Sequence, residues 1–346
     1  MTGQGAHVLP VGPKNTTGSQ GLAKEKNGAQ SGPRSCFYSA SEPRSPVSLI
    51  EGSYSTMKVL VIGSSGFIGQ TLVSRLLAEG HEVEAWDRRE GIARQGLTMR
   101  TVDLLGPTPL PRPEGPPWEA TFHLAAHAVP GITWTRDLVM QNLTMTARVF
   151  DHLAEHSPGC RSIFTSSAFV YAPSREPKRE DAPLGSIHPY ALSKQLGEAW
   201  ALSRRNDLRI FVVRPFNQIG PGMPQGLLVP DLLARIRSGE GPVRMLGRND
   251  FRDFLDWRDA MDAYVALLSV DAPSGRIWNL CSGRSTPVSE LVTEVLNALN
   301  LPLEVHFADP AQEVLVGDPT RLTIDTGWKP QRRLRDTVKA ILEYGS

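Results

Sequence analysis

Tyr190 and Lys194 stand four residues apart, with Pro189 immediately before them. On a helix that spacing sends both side chains to one face, and proline is tolerated in a first turn. A free phenol, with a pKa of about 10, is a weak base at neutral pH. An adjacent ammonium favours its ionised form, as does the positive ring of an oxidised nicotinamide. A tyrosine so placed can take or return a hydroxyl proton while hydride moves to or from the neighbouring carbon. Thr165-Ser166-Ser167 ends an apolar run, where parallel-sheet enzymes expose side chains to ligands, although hydroxyl residues also simply terminate strands. Ser167, Tyr190 and Lys194 are therefore the candidate catalytic residues. Ser167 is also expected to touch substrate, and Lys194 to hold a nicotinamide ribose.

Such chemistry needs a cofactor, and Gly63-Ser64-Ser65-Gly66-Phe67-Ile68-Gly69 has the spacing of a pyrophosphate cradle. It follows an apolar strand and opens a helix, the context that gives the pattern meaning. Gly63 and Gly66 let the turn approach phosphates, and Gly69 permits close helix–strand packing. Asp87 ends the next strand, eighteen residues beyond Gly69. Its carboxylate is placed to accept both ribose hydroxyls, which favours NAD. Arg88 and Arg89 follow at once and offer charge to a 2′-phosphate, so NADP stays open. A helix cap and a solvated face are the plain alternatives for these three. Asp103 is a candidate for the adenine amino group, or a loop carboxylate.

The elements that position these groups are short apolar strands alternating with helical stretches. Strands are expected at 58–62, 83–86, 120–124, 161–165, 209–213 and 276–280, with a further one ending at Thr101-Val102. Helices are expected from the glycine turn to about 79, and over 134–156, 189–204, 228–237, 258–270 and 287–299. That alternation predicts an α/β fold: a Rossmann-type parallel sheet with a smaller C-terminal substrate-binding lobe. Residues 106–117 hold six prolines and read as a surface loop. The first 56 residues hold 8 Gly, 5 Pro and 9 Ser without periodicity, and read as a disordered tail. Residues 57–215 then form mainly the cofactor domain, and 216–346 mainly the substrate lobe, with segments returning to the first domain.

With 37 basic and 36 acidic residues in 346, the chain lacks the basic excess of a nucleic-acid binder. Its three cysteines form no Cys-x-x-Cys pair, so neither a disulfide framework nor a thiolate zinc site is indicated, and a reducing compartment is the default. No apolar run is long enough for a membrane span. His152-x-x-Glu155-His156 has a metalloprotease spacing but no further ligand, and no metal is expected.

Taken together, VIGSSGFIG, FHLAA at 122–126, TSSAFVY at 165–171, PYALSK at 189–194, RPFNQIGPG at 214–222 and RDFLDWRDA at 252–260 resemble the extended short-chain dehydrogenase/reductases that act on nucleotide sugars. NLCSG at 279–283 and GDPTRL at 317–322 extend the resemblance to about Tyr344. It implies that Phe67 and Ile68 lie beside the pyrophosphate and that Leu124, Ala125 and Ala126 line the cofactor. It implies further that Asn217 contacts the sugar nucleotide and that Arg252 binds its diphosphate, where a guanidinium fork suits phosphate oxygens. A local ion pair with Asp253 or Asp256 is the alternative for Arg252.

Two departures narrow the reaction. Sugar dehydratases of the family place Asp-Glu just after the hydroxyl residue, whereas this chain has Ala168-Phe169. Many members carry an arginine ten residues before the late aspartate, where Ala308 precedes Asp318 here. The expected activity is an NAD-dependent nucleotide-sugar epimerase working by hydride transfer at C4. The alternative is an NAD(P)H-dependent reductase of a nucleotide-linked 4-keto-6-deoxysugar, because NQIGPG, NLCSG and VLVGD resemble GDP-4-keto-6-deoxymannose reductases. A dehydratase or a non-catalytic cofactor-binding scaffold ranks below both. The resemblance also implies a cytoplasmic homodimer whose partner is a nucleotide diphosphate sugar, with no nucleic acid and no membrane.

Overall fold

The computed structural model describes residues 56–346 except 92–93, 129–130, 186, 240–242, 309–312 and 345–346, and among these not the side chains of 244, 246 and 308. All of them belong to the compact unit Ser48–Ser346. The tail expected over 1–56 lies outside the described residues up to residue 55.

Strand β1 (Lys58–Ile62) is buried along its whole length. A lysine can open such a strand because the carbonyls of Glu114 and Pro116 receive its ammonium. The chain then alternates α1 (Phe67–Ala78), β2 (Glu82–Asp87), β3 (Leu97–Thr101), β4 (Ala120–His123), α2 (Arg136–His156), β5 (Arg161–Thr165), α3 (Pro189–Ser203) and β6 (Arg209–Pro215). Beyond it come β7 (Asn217–Ile219), α4 (Leu228–Ser238), β8 (Val243–Leu246), β9 (Phe251–Arg252), β10 (Phe254–Asp256), α5 (Trp257–Ala266) and β11 (Arg276–Leu280). The last elements are β12 (Thr286–Pro287), α6 (Val288–Ala298), β13 (Val305–Ala308), β14 (Val314–Leu315), α7 (Thr320–Thr326) and α8 (Leu334–Tyr344).

Seven strands make one parallel sheet in the order β11-β6-β5-β4-β1-β2-β3. Alternation along β1 sorts its side chains between two cores. Val59 and Val61 meet Leu72 and Leu76 of α1 and Tyr264 of α5, whereas Leu60 and Ile62 meet Val149, Phe150 and Leu153 of α2. The strand order reverses between β1 and β4, so their C-terminal ends open the crevice where such sheets bind ligands. A third core joins α4, α6 and α8 through Leu232, Leu291, Val295 and Val338.

One expectation needs correction. The helix expected over 258–270 ends at Ala266, because Leu267, Leu268 and Val270 are buried in the core after the helix stops. An apolar pattern continued without helical geometry. The proline-rich stretch has no strand, yet it is held down: Arg148 donates to the carbonyls of Leu104, Gly106 and Thr108, and Leu110 is buried.

The His152 ring packs by Trp86 and Trp118, and its Nε2 lies 2.8 Å from the Pro111 carbonyl. Cys160 and Cys281 are buried free thiols, and burial pushes both upward, Cys160 to about 11. Among the described residues no helix is long and apolar enough to cross a membrane.

Candidate active site

The glycine turn closes the end of β1 over the start of α1. Gly63 has φ +85°, and a Cβ there would sit 2.7 Å from the Ala125 backbone nitrogen. At Gly69 a Cβ would lie 2.2 Å from the Gly63 carbonyl oxygen. Both glycines are therefore demanded by the chain itself. Gly66 differs: its added Cβ would meet only the Gly63 oxygen, at an ordinary 3.4 Å. It faces space, as the floor of a cradle does. α1 begins at Phe67 and Ile68 without a side-chain cap, which leaves first-turn N–H groups available to an anion. Leu124, Ala125 and Ala126 follow β4, and the Leu124 N–H bonds the Ile62 carbonyl at 2.9 Å, holding this loop against the turn. These residues fit a dinucleotide.

Asp87 is fastened at both oxygens, by the Ser65 N–H at 2.9 Å and the Arg89 N–H at 3.1 Å. Burial pushes its pKa up, but the Ser65 and Arg89 bonds outweigh that and hold the carboxyl below its ordinary value. Each oxygen still keeps lone-pair capacity for a ribose hydroxyl. Arg89 belongs to this corner: its guanidinium, although exposed, donates to the Ser65 hydroxyl at 2.6 Å and the Ser65 carbonyl at 2.7 Å. The Arg89 backbone bond to Asp87 folds the chain back to allow this. Asp103 is exposed and accepts from the Leu105 N–H at 2.9 Å, so one of its oxygens serves its own turn.

At the ends of β5 and α3 the other three candidates converge. Ser167 lies within hydrogen-bonding reach of the Tyr190 phenol. Lys194 Nζ sits 6.0 Å from the Tyr190 ring centre and donates to the Thr165 carbonyl at 2.8 Å. Burial pushes Tyr190 up to about 12, against the pull of Ser167, so the phenol holds its proton in the free protein. The lowered phenol pKa expected from the lysine alone is not found. Desolvation dominates, and the ammonium is spent on a carbonyl and on the Phe164 ring, 5.3 Å away. Burial lowers Lys194 to about 8, with the Glu198 carboxylate opposing.

Sequence reasoning missed the groups beneath this constellation. Glu198, one helical turn past Lys194, grips buried Arg214 through two bonds of 2.9 and 2.7 Å and also accepts from Ser166. The i, i+4 spacing from Lys194 was its only signal. Two rings flank the phenol, Trp134 at 5.5 Å and Phe169 at 6.5 Å between centres, and Phe169 is 43% exposed.

On the far side, Asn217 donates from Nδ2 to the Asp253 carbonyl at 3.1 Å. Arg252 pairs with Asp250 at 3.2 Å and Glu313 at 2.6 Å. The alternative pairing with Asp253 or Asp256 does not form. Asp253 turns inward to the Ser282 N–H and hydroxyl and the Gly283 and Gly317 N–H groups, and Asp256 holds Arg258. Arg252 and Asn217 lie on β9 and β7, outside the Tyr190 helix.

A doubly wound parallel sheet, a glycine turn at its switch point and a serine–tyrosine–lysine cluster beside it define an extended short-chain dehydrogenase/reductase. Residues 59–281 match the model of the NAD dependent epimerase/dehydratase family, and the chain belongs to that family. It is 32% identical over 309 residues to a GDP-6-deoxy-D-mannose reductase of Pseudomonas aeruginosa, covering 83% of this chain and 96% of the relative. A UDP-glucose 4-epimerase of Mycolicibacterium smegmatis is 29% identical over 323 residues, covering 83% and 98%. The solved structure of RMD from Pseudomonas aeruginosa, complexed with NADPH, superposes with a TM-score of 0.67 at 26% identity, covering 84% of this chain and 99% of that one.

Proposed function

We propose that this enzyme transfers hydride at C4 of a nucleotide-linked sugar, with Ser167, Tyr190 and Lys194 as its catalytic residues. Gly63, Gly66, Gly69, Phe67, Ile68 and Asp87 would hold the dinucleotide, with Leu124–Ala126 beside it. A bound nicotinamide supplies the hydride or accepts it. Ser167 orients the sugar oxygen, Tyr190 gives or takes that oxygen's proton, and Lys194 carries positive charge beside both.

The direction we favour is reduction of a 4-keto-6-deoxysugar, the second of the two activities expected from sequence. Phe169 carries this reading: an exposed phenyl ring stands beside Tyr190 where a dehydratase needs carboxylates, and it suits a methyl group already formed at C6. A phenol still protonated at neutral pH is also ready to protonate a carbonyl oxygen as hydride arrives. The Arg89–Ser65 corner and the reductase relative support NADPH as the donor. C4 epimerisation is the second reading, favoured by Asp87, whose oxygens suit the two free ribose hydroxyls of NAD. Arg252 would meet the diphosphate by exchanging Glu313 for phosphate oxygens. The reading includes a homodimer, for which Met140 on α2 and Leu192 and Trp200 on α3 offer exposed apolar surface.

Incubation with UDP-, GDP- and dTDP-linked sugars, with and without NADPH, tests this. Stoichiometric loss of NADPH with a 4-keto-6-deoxysugar supports reduction. Interconversion of two sugars without added reductant supports epimerisation instead. Activity toward none of them removes the nucleotide-sugar assignment.

A further inference from the structure

Lys194 is buried, 4% exposed, and the carboxylate one helical turn along is already claimed. Arg214 donates to both oxygens of Glu198, and Ser166 donates to one of them. An ammonium buried without a counterion of its own is driven toward its neutral form. What faces it is a ring. Lys194 Nζ lies 5.3 Å from the centre of Phe164, within the range of a cation over an aromatic face. The next residue of β5, Thr165, offers its carbonyl at 2.8 Å. One strand end therefore supplies both holds through consecutive residues, a side chain and then a main-chain oxygen.

The Phe164 ring is fixed from three other sides. His123 of β4 packs against it at 5.8 Å with a 36° tilt, and Phe150 of α2 meets it edge to face at 6.1 Å. The third side is α3 itself. A Cβ on Gly197 would lie 2.5 Å from Phe164 Cζ, so a glycine at this turn lets the ring reach the helix backbone. Glycine inside a helix is costly, and here the ring is what demands it. The other titratable groups around the ammonium supply little net charge. Burial drives His123 down to about 3, so it stays neutral, and pushes Tyr190 up to about 12 and Tyr264 upward as well. Glu198 favours the charged lysine, but its ion pair with Arg214 of β6 offsets that pull. From α2 come only the uncharged Asn142 and Thr146, bonded to Ser193 and His123.

We propose that Phe164 is a positioning residue for Lys194: its ring face keeps the buried ammonium charged and holds it beside Tyr190, in a slot that Gly197 opens. This rests on the reading of Lys194 as catalytic and adds a residue that acts only through the lysine.

Lysine-selective carbon-13 NMR of the full chain across pH follows the ammonium without turnover, its signal assigned by its loss in Lys194→Arg. Phe164→Leu keeps apolar burial and removes the ring face. The charged form then loses support, so the Lys194 pKa should fall by about half to one pH unit, and the basic limb of kcat/KM should fall with it. Leucine leaves part of the slot empty, so a second variant carries 3,5-difluorophenylalanine in place of Phe164. It keeps the ring's shape, withdraws electron density from its face, and should lower the pKa by a smaller step. A thermal melt shows that each variant folds, and the fluorinated ring decides the case if leucine does not fold. A Lys194 titration that stays in place or moves up with the fluorinated ring overturns the proposal. A titration that moves down while the kinetic limb stays put upholds the ring's hold on the ammonium and removes Lys194 from the catalytic reading instead.

Discussion

The proposed site has a cofactor side and a substrate side, and the two are built by opposite means. On the cofactor side, one turn of seven residues, Gly63–Gly69, supplies the shape, and Asp87 and Arg89 complete it from the next strand. On the substrate side, no short segment suffices. Asp253 collects Ser282, Gly283 and Gly317 around one buried carboxylate while its carbonyl receives Asn217, so three distant stretches depend on a single residue. A local motif can be read and transplanted. A hub exists only once the chain has closed around it.

That contrast can be broken in graded steps. The largest effect belongs to the chemistry lying between the two sides. Tyr190→Phe should lower turnover by about 10²- to 10⁴-fold, the usual weight of a positioned acid or base, with dinucleotide affinity nearly unchanged. Turnover within threefold of wild type, by steady-state kinetics, would remove Tyr190 from the proton path.

Asp253→Asn comes next. It replaces an all-acceptor group facing four donors with an amide that must turn an NH2 toward some of them. A loss of about 3 kcal/mol in urea unfolding is expected, within the range for a broken buried network. If the substrate side is truly non-local, KM for the nucleotide sugar should rise in the surviving protein while the dinucleotide Kd holds.

Gly66→Ala sharpens the cofactor side. Since its Cβ meets no protein atom closer than 3.4 Å, folding should survive, while the methyl intrudes on the cradle and weakens dinucleotide binding by about tenfold. Gly69→Ala, at 2.2 Å from the Gly63 oxygen, should instead fail as a fold. A matching loss of melting temperature in both would show that Gly66 is structural too.

The smallest effect is a matter of pH. Lys194 has a pKa lowered by burial to about 8, and raising the pH through that value removes its charge. The basic limb of kcat/KM should therefore fall near pH 8, and Lys194→Arg, which stays protonated, should lose that limb. An unchanged limb in the arginine variant would assign it to another group.

Sequence legibility followed the same division. β1, the glycine turn, Asp87 and the Tyr190–Lys194 pair were readable because each is a local pattern tied to one element. Arg89 was within view, but only the backbone bond to Asp87 shows that it, and not Arg88, reaches Ser65. The Glu313–Arg252 pair could not be foreseen, since sixty-one residues separate the partners and nothing in either neighbourhood announces the other. The short strands β7, β9, β10, β12 and β14 have two or three residues each, too few for alternation to emerge.

The edge strand β11 has a consequence in time. It pairs with β6 from Arg276 against Phe211, so the main sheet borrows its seventh strand from beyond α5. During synthesis, a nascent chain that has just emerged through β6 exposes a row of unpaired amides and carbonyls on that edge. Until some sixty more residues leave the ribosome, that edge can recruit a stranger. Shortening the chain to its first half should therefore give aggregates rather than a miniature dinucleotide binder.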